Sequence, residues 1–358
     1  MDPNFKTIPV IIPSLEPDEK LPRLLAALRQ AGIENIVLVD DGSGPAYAHF
    51  FEQAKTQYGC VVLRHAVNLG KGRALKTAFN YCLNTWPQAV GCVTADSDGQ
   101  HTPQCILKVM EMLCLRPDAL VLGVRDFDES NVPARSRFGN KVTCGVFRFL
   151  VGLTISDTQT GLRAVPTAYM KTLLRTKGER FEFESNMLID TKENDVPLVE
   201  VPIQTVYIEE NRTSHFHTLR DSARVYSVFG RFLFSSLSSS VVDIALFAFF
   251  CAALGRVLPV ELYIAVPTVL ARVVSAVYNY FLNYRLVFKS QADHRRAAAK
   301  YVLLAAVQMA CSALLVSVLF SWLRTGEVAL KILVDVLLFF ISFQIQREFV
   351  YKKKDRKS

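Results

Sequence analysis

Asp96-Ser97-Asp98-Gly99-Gln100 sets two carboxylates two residues apart, with a glycine and an amide beside them. Two such carboxylates can converge on one hard cation. Mg2+ or Mn2+ takes oxygen ligands of this kind and keeps positions for substrate phosphates. Gln100 can add a neutral oxygen, and Gly99 lets the chain turn sharply. The preceding stretch, residues 89–95, is small and apolar and predicts a buried strand. The carboxylates then arrive at a strand's C-terminal edge, where open α/β sheets hold their ligands.

Similar turns follow other predicted strands. Residues 7–13 read as a strand ending at Pro13, with Glu16 in the turn, and residues 35–39 read as one ended by Asp40-Asp41-Gly42-Ser43. A third strand is expected at 60–64 and another at 119–123. Helices are expected at 18–31, 71–83 and 103–115. Strands alternating with helices imply a mostly parallel sheet covered on both faces, with its acidic turns gathered at one edge. Asn68-Leu69-Gly70-Lys71-Gly72 opens the second of these helices. It is too short for a Walker A motif, but glycines and a lysine at a helix N-terminus suit an anion. Such an edge fits a nucleotide-sized ligand with a metal.

The rest of the chain has a different composition. Of its 358 residues 51% are hydrophobic, but the long apolar runs fall after about residue 230. Four of them, near 232–254, 260–284, 300–323 and 328–347, approach the ~20 residues that span a bilayer. The net charge of +8 crowds beside these runs, in Arg285, Lys289, Arg295, Arg296 and Lys300 and in the tail of Lys352, Lys353, Lys354, Arg356 and Lys357. This pattern reads as an anionic membrane surface rather than nucleic acid. The positive-inside rule places that loop, the tail and, across four spans, the soluble half in the cytoplasm. The eight cysteines contain no C-x-x-C pair, which points to a reducing compartment and no structural zinc. Val10-Ile11-Ile12 is too short for the h-region of a secretory signal.

Taken together, Pro13 and Glu16, Asp40-Asp41-Gly42-Ser43, Asn68 to Gly72 and Asp96 to Gln100 resemble, in order and spacing, the family-2 glycosyltransferases of the GT-A fold. More narrowly they resemble the dolichyl- or polyprenyl-phosphate hexose synthases. The resemblance covers roughly residues 7–228. It implies an α/β, Rossmann-like domain, a nucleotide-sugar donor, Mg2+ or Mn2+, and inversion at the anomeric carbon. It assigns Pro13, Glu16, Asp40, Asp41, Lys71, Asp96 and Arg125 to the donor, and Asp96, Asp98 and Gln100 to the metal. Gly123-Val124-Arg125 resembles the family's Gly-x-Arg, whose arginine faces phosphate. Arg135 to Asn140 resembles an acceptor-side segment, which gives Ser136 and Arg137, with Arg125, to the acceptor phosphate. Asp157 to Arg163 resembles an Asp-x-x-x-Gly stretch whose acidic residue faces the acceptor. Asn211 to Phe216 resembles a loop that closes over the donor diphosphate through Arg212 and Ser214, and His215 stands where many relatives carry lysine. Asp98, Asp157 and Arg212 are the implied catalytic residues. No Gln-x-x-Arg-Trp stretch of the processive synthases is present, which argues for one sugar per encounter.

A phosphate-monoester acceptor with a second pKa near ~6 is largely dianionic at neutral pH. It needs no strong base, so Asp157 is expected to orient the acceptor, or a cation near it, rather than take its proton.

The apolar half resembles the four-span GtrA-like domain, chiefly through Asn279 to Phe288. The expected organisation is a GT-A glycosyltransferase domain at 1–216, an interfacial amphipathic helix at 217–230, an all-α transmembrane domain of four helices at 231–350 and a basic tail at 351–358. Asp243 and Arg272 are expected to pair within the spans, and Lys331 with Asp335 along one helix. The leading reading is a multi-pass cell-membrane enzyme whose substrates are a nucleotide sugar and polyprenyl phosphate, in a form compatible with a homo-oligomer. Transfer to a lipid-linked saccharide or a diacylglycerol stays open. So does a transporter or scaffold whose soluble half only binds nucleotide sugar.

Overall fold

The computed structural model describes residues 5, 7–127, 134–204, 223–254, 265–288, 290, 292–323 and 327–351. The chain divides into two compact units, Met1–Arg224 and Val225–Ser358.

The first unit is built on one seven-stranded sheet. Its strands are β1 (Val10–Ser14), β2 (Ile36–Asp40), β3 (Val61–Arg64), β4 (Gly91–Thr94), β5 (Leu120–Arg125), β6 (Arg163–Pro166) and β7 (Leu198–Ile203), in the order β3-β2-β1-β4-β6-β5-β7. β1, β2 and β4 are buried along their whole lengths, as expected for apolar runs in a sheet with two covered faces. Among the described residues seven α-helices flank them: α1 (Lys20–Gln30), α2 (Ala48–Thr56), α3 (Lys71–Thr85), α4 (Pro103–Leu115), α5 (Ala134–Val146), α6 (Thr167–Leu173) and α7 (Glu182–Glu193). α4 begins where a good start signal predicts: Thr102 caps it through the Cys105 amide, and Pro103 follows.

The strand order reverses between β1 and β4. From β1 the chain steps outward to β2 and β3, then returns to the other side of β1 with β4. That switch point opens a crevice at the carboxyl ends of the strands. Ser14, Asp40 and the Asp96 turn all lie at this edge.

A mostly parallel sheet is expected from the sequence, and β6 departs from it by running antiparallel to both β4 and β5. It is four residues long and fully buried, so it shows no alternation by which to recognise it. Its insertion carries the Asp157–Leu162 loop back across the crevice.

The second unit contains α8 (Ala223–Leu254), α9 (Ala265–Leu282), α10 (His294–Leu323) and α11 (Glu327–Ile345). α9 and α11 each run into a π-helical turn, Asn283–Val287 and Gln346–Val350. Among the described residues one helix, Gly230–Leu254, is long and apolar enough to cross a membrane by itself. Val241, Ile244 and Phe249 on α8, Val273 on α9, Met309 on α10 and Leu333 on α11 face outward, the reverse of a soluble bundle. Residues 223–230 of the expected interfacial stretch are the first turns of α8, and residues 205–222 lie outside the described residues.

Beside buried Phe232, Val334 and Phe343, the inside of this unit holds a polar network. Asn279 donates to Ser239 Oγ at 2.9 Å, and its carbonyl takes Tyr301 OH at 2.8 Å and Asn283 Nδ2 at 2.9 Å. Asn283 reaches Gln346 Oε1 at 3.0 Å, and Gln346 reaches Ser342 Oγ at 3.0 Å. One uncharged ladder thus joins all four helices. The expected Asp243–Arg272 pair is present, Nη2 to Oδ2 at 3.4 Å, with Ser275 Oγ on the other Asp243 oxygen at 2.8 Å. Asp335 accepts from Ser312 of α10 at 2.9 Å, and the Lys331 side chain lies outside the described residues.

Candidate active site

Asp96 leaves β4 and meets three neighbours. Lys71 Nζ lies 2.7 Å from its Oδ1, and the same ammonium lies 3.0 Å from Glu184 Oε2. Beneath the carboxylate is Gly161, where a Cβ would come within 2.1 Å of Asp96 Oδ2. Only a glycine admits the carboxylate there. Behind the turn is the buried ring of His101, whose Nδ1 faces the Asp96 amide at 3.4 Å.

Burial alone would raise the Asp96 carboxyl, but the Lys71 charge, followed by His101, carries it down to about 2. Asp98 moves the other way, raised by burial and then by the Asp96 charge. Burial holds the His101 imidazole below its ordinary value, against the pull of Asp96 and Asp98. For Lys71 burial opposes the charge, yet Asp96 and Glu184 outweigh it and hold the ammonium above its usual range.

Asp98 Oδ1 accepts the Gln100 amide at 3.0 Å, which tightens the turn around Gly99 at a φ of 75°. Two close carboxylates, one of them pushed up by the other, form the arrangement that a divalent cation relieves. Among the described residues no three His, Cys, Asp or Glu side chains group as a metal cage. The protein therefore offers two carboxylates and an amide, which fits a Mg2+ or Mn2+ whose other ligands are substrate oxygens and water.

The neighbouring turn is occupied by its own structure. Asp40 accepts from the Ser43 amide and from Arg64 Nε, both at 2.9 Å. Asp41 accepts from His65 Nδ1 at 2.7 Å, Leu69 N at 3.0 Å and Gly70 N at 2.8 Å. His65 in turn meets Thr77 Oγ1 through Nε2 at 2.9 Å. Asp41 thereby holds the loop that delivers Lys71 to the head of α3. Ser43 Oγ takes the Glu16 amide at 2.9 Å, and Glu16 itself has a left-handed φ of 50°, an uncommon state for a non-glycine residue. Pro13 is buried at the end of β1.

On the far side of the crevice Asp157 is fully buried, and its oxygens are committed. Oδ2 takes Arg125 Nε at 2.7 Å and Oδ1 takes Arg125 Nη2 at 3.0 Å, a bidentate fork. The Gln159 amide adds a bond to Oδ1 at 2.9 Å. Arg125 also stacks on the Phe127 ring, 4.9 Å from its centroid. Arg137 Nε donates to Phe127 O at 2.8 Å. Ser136 belongs to α5, and its side chain, like all of Arg212, Ser214 and His215, lies outside the described residues.

The structure thus gathers Asp96, Asp98, Gln100 and Lys71 into one cluster and pairs Arg125 with Asp157. Two members were not anticipated. Glu184 lies in the first turn of α7, and nothing in the neighbouring sequence Phe181-Glu182-Phe183 predicts a contact with Lys71. Arg163, only 1% exposed, donates to Thr160 O at 2.9 Å and Glu184 O at 2.7 Å, tying the Asp157–Gly161 loop to α7.

Comparison with known proteins agrees with this division. Residues 10–174 match the family described as Glycosyl transferase family 2. Residues 231–351 match the GtrA/DPMS transmembrane domain. An uncharacterized protein of Methanocaldococcus jannaschii is 33% identical over 210 residues, 58% of this chain and 84% of that one. A UDP-N-acetylglucosamine–dolichyl-phosphate N-acetylglucosaminyltransferase of Methanococcus voltae is 28% identical, over 57% of this chain and 87% of its own. An undecaprenyl-phosphate mannosyltransferase of Micrococcus luteus is 28% identical, over 55% and 82%.

Proposed function

This chain belongs to glycosyl transferase family 2 and carries a GtrA/DPMS transmembrane domain, and from that premise we propose that it moves one hexose from a nucleotide sugar to polyprenyl phosphate. The donor is of the UDP-glucose or GDP-mannose kind. The observation that carries the reading is the union, in one membrane protein, of the Asp96/Asp98 cluster with this transmembrane domain. Two relatives named for transfer to dolichyl or undecaprenyl phosphate support it.

The residues divide the work as follows. Asp96, Asp98 and Gln100 would hold Mg2+ or Mn2+, which supplies positive charge to a departing diphosphate. Lys71, at the head of α3, adds a fixed cation beside the same oxygens. Pro13, Glu16, Asp40 and Asp41 shape the pocket for base and ribose, the two aspartates by fixing its turns. Arg212 and Ser214 cover the diphosphate, an assignment that rests on the motif alone. Arg125, Ser136 and Arg137 receive the acceptor phosphate. Asp157 is committed to Arg125 and to amides, so its part is to aim that guanidinium. A dianionic acceptor then attacks the anomeric carbon in line, with inversion, and no proton has to be removed from it.

The membrane domain makes the chain a membrane protein. We read it as multi-pass, with the catalytic unit cytoplasmic, because the basic 285–300 loop and the lysine tail lie on one side of an even number of spans. The test is transfer from a panel of labelled nucleotide sugars to polyprenyl phosphate by the full chain in bilayers with Mg2+ or Mn2+. Label in an acid-labile lipid, absent with Asp98→Ala, is the expected result. Label from UDP-N-acetylglucosamine alone would replace hexose by an N-acetylhexosamine. No label from any donor would overturn the acceptor.

A further inference from the structure

Glu184 has no part in the donor, metal or acceptor assignments that the family likeness implies, yet its carboxylate ends inside the cluster. It shares the Lys71 ammonium with Asp96, at 3.0 Å and 2.7 Å. All three side chains are mostly buried, at 13%, 17% and 31% exposure for Glu184, Lys71 and Asp96. The ammonium also stands 5.9 Å from the centre of the Phe181 ring.

This arrangement is built rather than incidental. The buried Arg163 clamps the backbone of Glu184 at 2.7 Å. α3 and α7 approach so closely that a Cβ on Gly72 would lie 2.5 Å from Phe183 Cβ. Phe183 is fully buried, so Lys71 on α3 and Glu184 on α7 cannot part without unpacking the two helices.

The charges then pose a problem for any metal. Asp96 already has an ammonium in direct contact, shared with Glu184. A divalent cation arriving alone would meet like charge beside its first ligand. A nucleoside diphosphate changes this, because its oxygens give the ammonium a second anion at a helix N-terminus.

We propose that Glu184 is a positioning residue: it shares the Lys71 ammonium with Asp96, so that this charge screens the first metal ligand without being given to it alone, and divalent metal enters together with the nucleoside diphosphate rather than before it. The inference rests on the nucleotide-sugar reading above. Binding of metal and nucleotide must then reinforce each other, by the same factor in either direction.

The test is Mn2+ binding to the purified full chain, read by electron paramagnetic resonance, with Mn2+ alone and with UDP or GDP added. Wild type should bind Mn2+ weakly alone and at least about tenfold more tightly with one of the two nucleotides. Lys71→Met should tighten binding of Mn2+ alone by about tenfold or more, because the competing charge is gone. Glu184→Gln should weaken it several-fold, because Asp96 then keeps the ammonium to itself, and Glu184→Asp should recover most of the loss. In the double variant the Glu184→Gln effect should shrink to within about twofold, since it acts through Lys71. A general loss of structure would weaken binding in every variant and could not produce these opposite shifts. Nucleotide-dependent Mn2+ binding in wild type, with Lys71→Met unchanged or weaker or Glu184→Gln unchanged, overturns the role of Glu184 and leaves the nucleotide-sugar reading standing. No Mn2+ binding with either nucleotide overturns both.

Discussion

The two units of this chain bury polarity by opposite means. In the first, charges face charges: Lys71 lies between Asp96 and Glu184, and Arg125 forks onto Asp157. In the second, neutral groups form the Ser239–Asn279–Asn283–Gln346–Ser342 ladder, with Tyr301 at its side. The difference follows from what each interior must do. A site that receives phosphates needs charge and bears its desolvation. A bundle whose outer face is apolar gains its helix contacts from uncharged hydrogen bonds, which cost far less to bury in a membrane.

The comparison is broken most forcefully at Asp157. Asp157→Ala strands a guanidinium that had a bidentate partner, and should cost about 3–5 kcal/mol in the unfolding of the first unit. Asp157→Asn keeps the shape and some hydrogen bonds, and should lower transfer by only about tenfold, roughly 1.4 kcal/mol. A loss of four orders or more with Asn would instead make Asp157 a base. Gly161→Ala is next. Its methyl would claim the space of Asp96 Oδ2, so transfer should fall about 100-fold, as for loss of a key electrostatic group, with Mn2+ binding weakened alongside. Unchanged Mn2+ binding would mean that Asp96 is not held where the structure has it.

The neutral side is probed by Asn279→Leu. Removing the junction of the ladder should lower stability of the full chain in bilayers or detergent by about 1–2 kcal/mol, read as a shift in thermal melting. A loss as large as that of Asp157→Ala would erase the contrast between the units. Asp243→Arg and Arg272→Asp should each lower the melting temperature of the second unit, since each sets two like charges side by side within the spans. Combined, the swapped pair should restore melting, and no recovery would count against the pairing. The smallest effect is set by acid. Burial alone would raise Asp96, but Lys71 lowers it to about 2 in the folded chain, below the ~3.9 of an unfolded aspartate. Its contribution is therefore present above about pH 4 and lost as pH falls toward 2. Lys71→Met should flatten that decline.

What was legible in the sequence followed the range of the interactions. The turns after β1, β2 and β4 could be read because each motif carries its own glycine or carboxylates within five residues. The four apolar runs could be read by length alone, and the Asp243–Arg272 pair because charges inside apolar segments are rare enough to seek each other. Glu184 could not be read, because its partner Lys71 is 113 residues away and Phe-Glu-Phe-Glu looks like any helix start. Asp157 was expected to orient the acceptor or a cation near it, but that its cation is Arg125, 32 residues away, has no local signature. Asn279 and Asn283 stood inside a quoted motif, but their partners on three other helices have no sequence signature. β6 was missed because a four-residue buried strand has no period.

The loop from Asp157 to Gly161 is anchored at both ends, by Arg125 at the first residue and by the Asp96 carboxylate resting on the last. Arg163 pins its exit to α7. Four residues of backbone reach at most ~14 Å, so this segment acts as a fixed ruler between the two halves of the crevice. An inserted residue would leave every side chain in place chemically and still set the wrong gap. Length, as much as composition, is what this stretch has to keep.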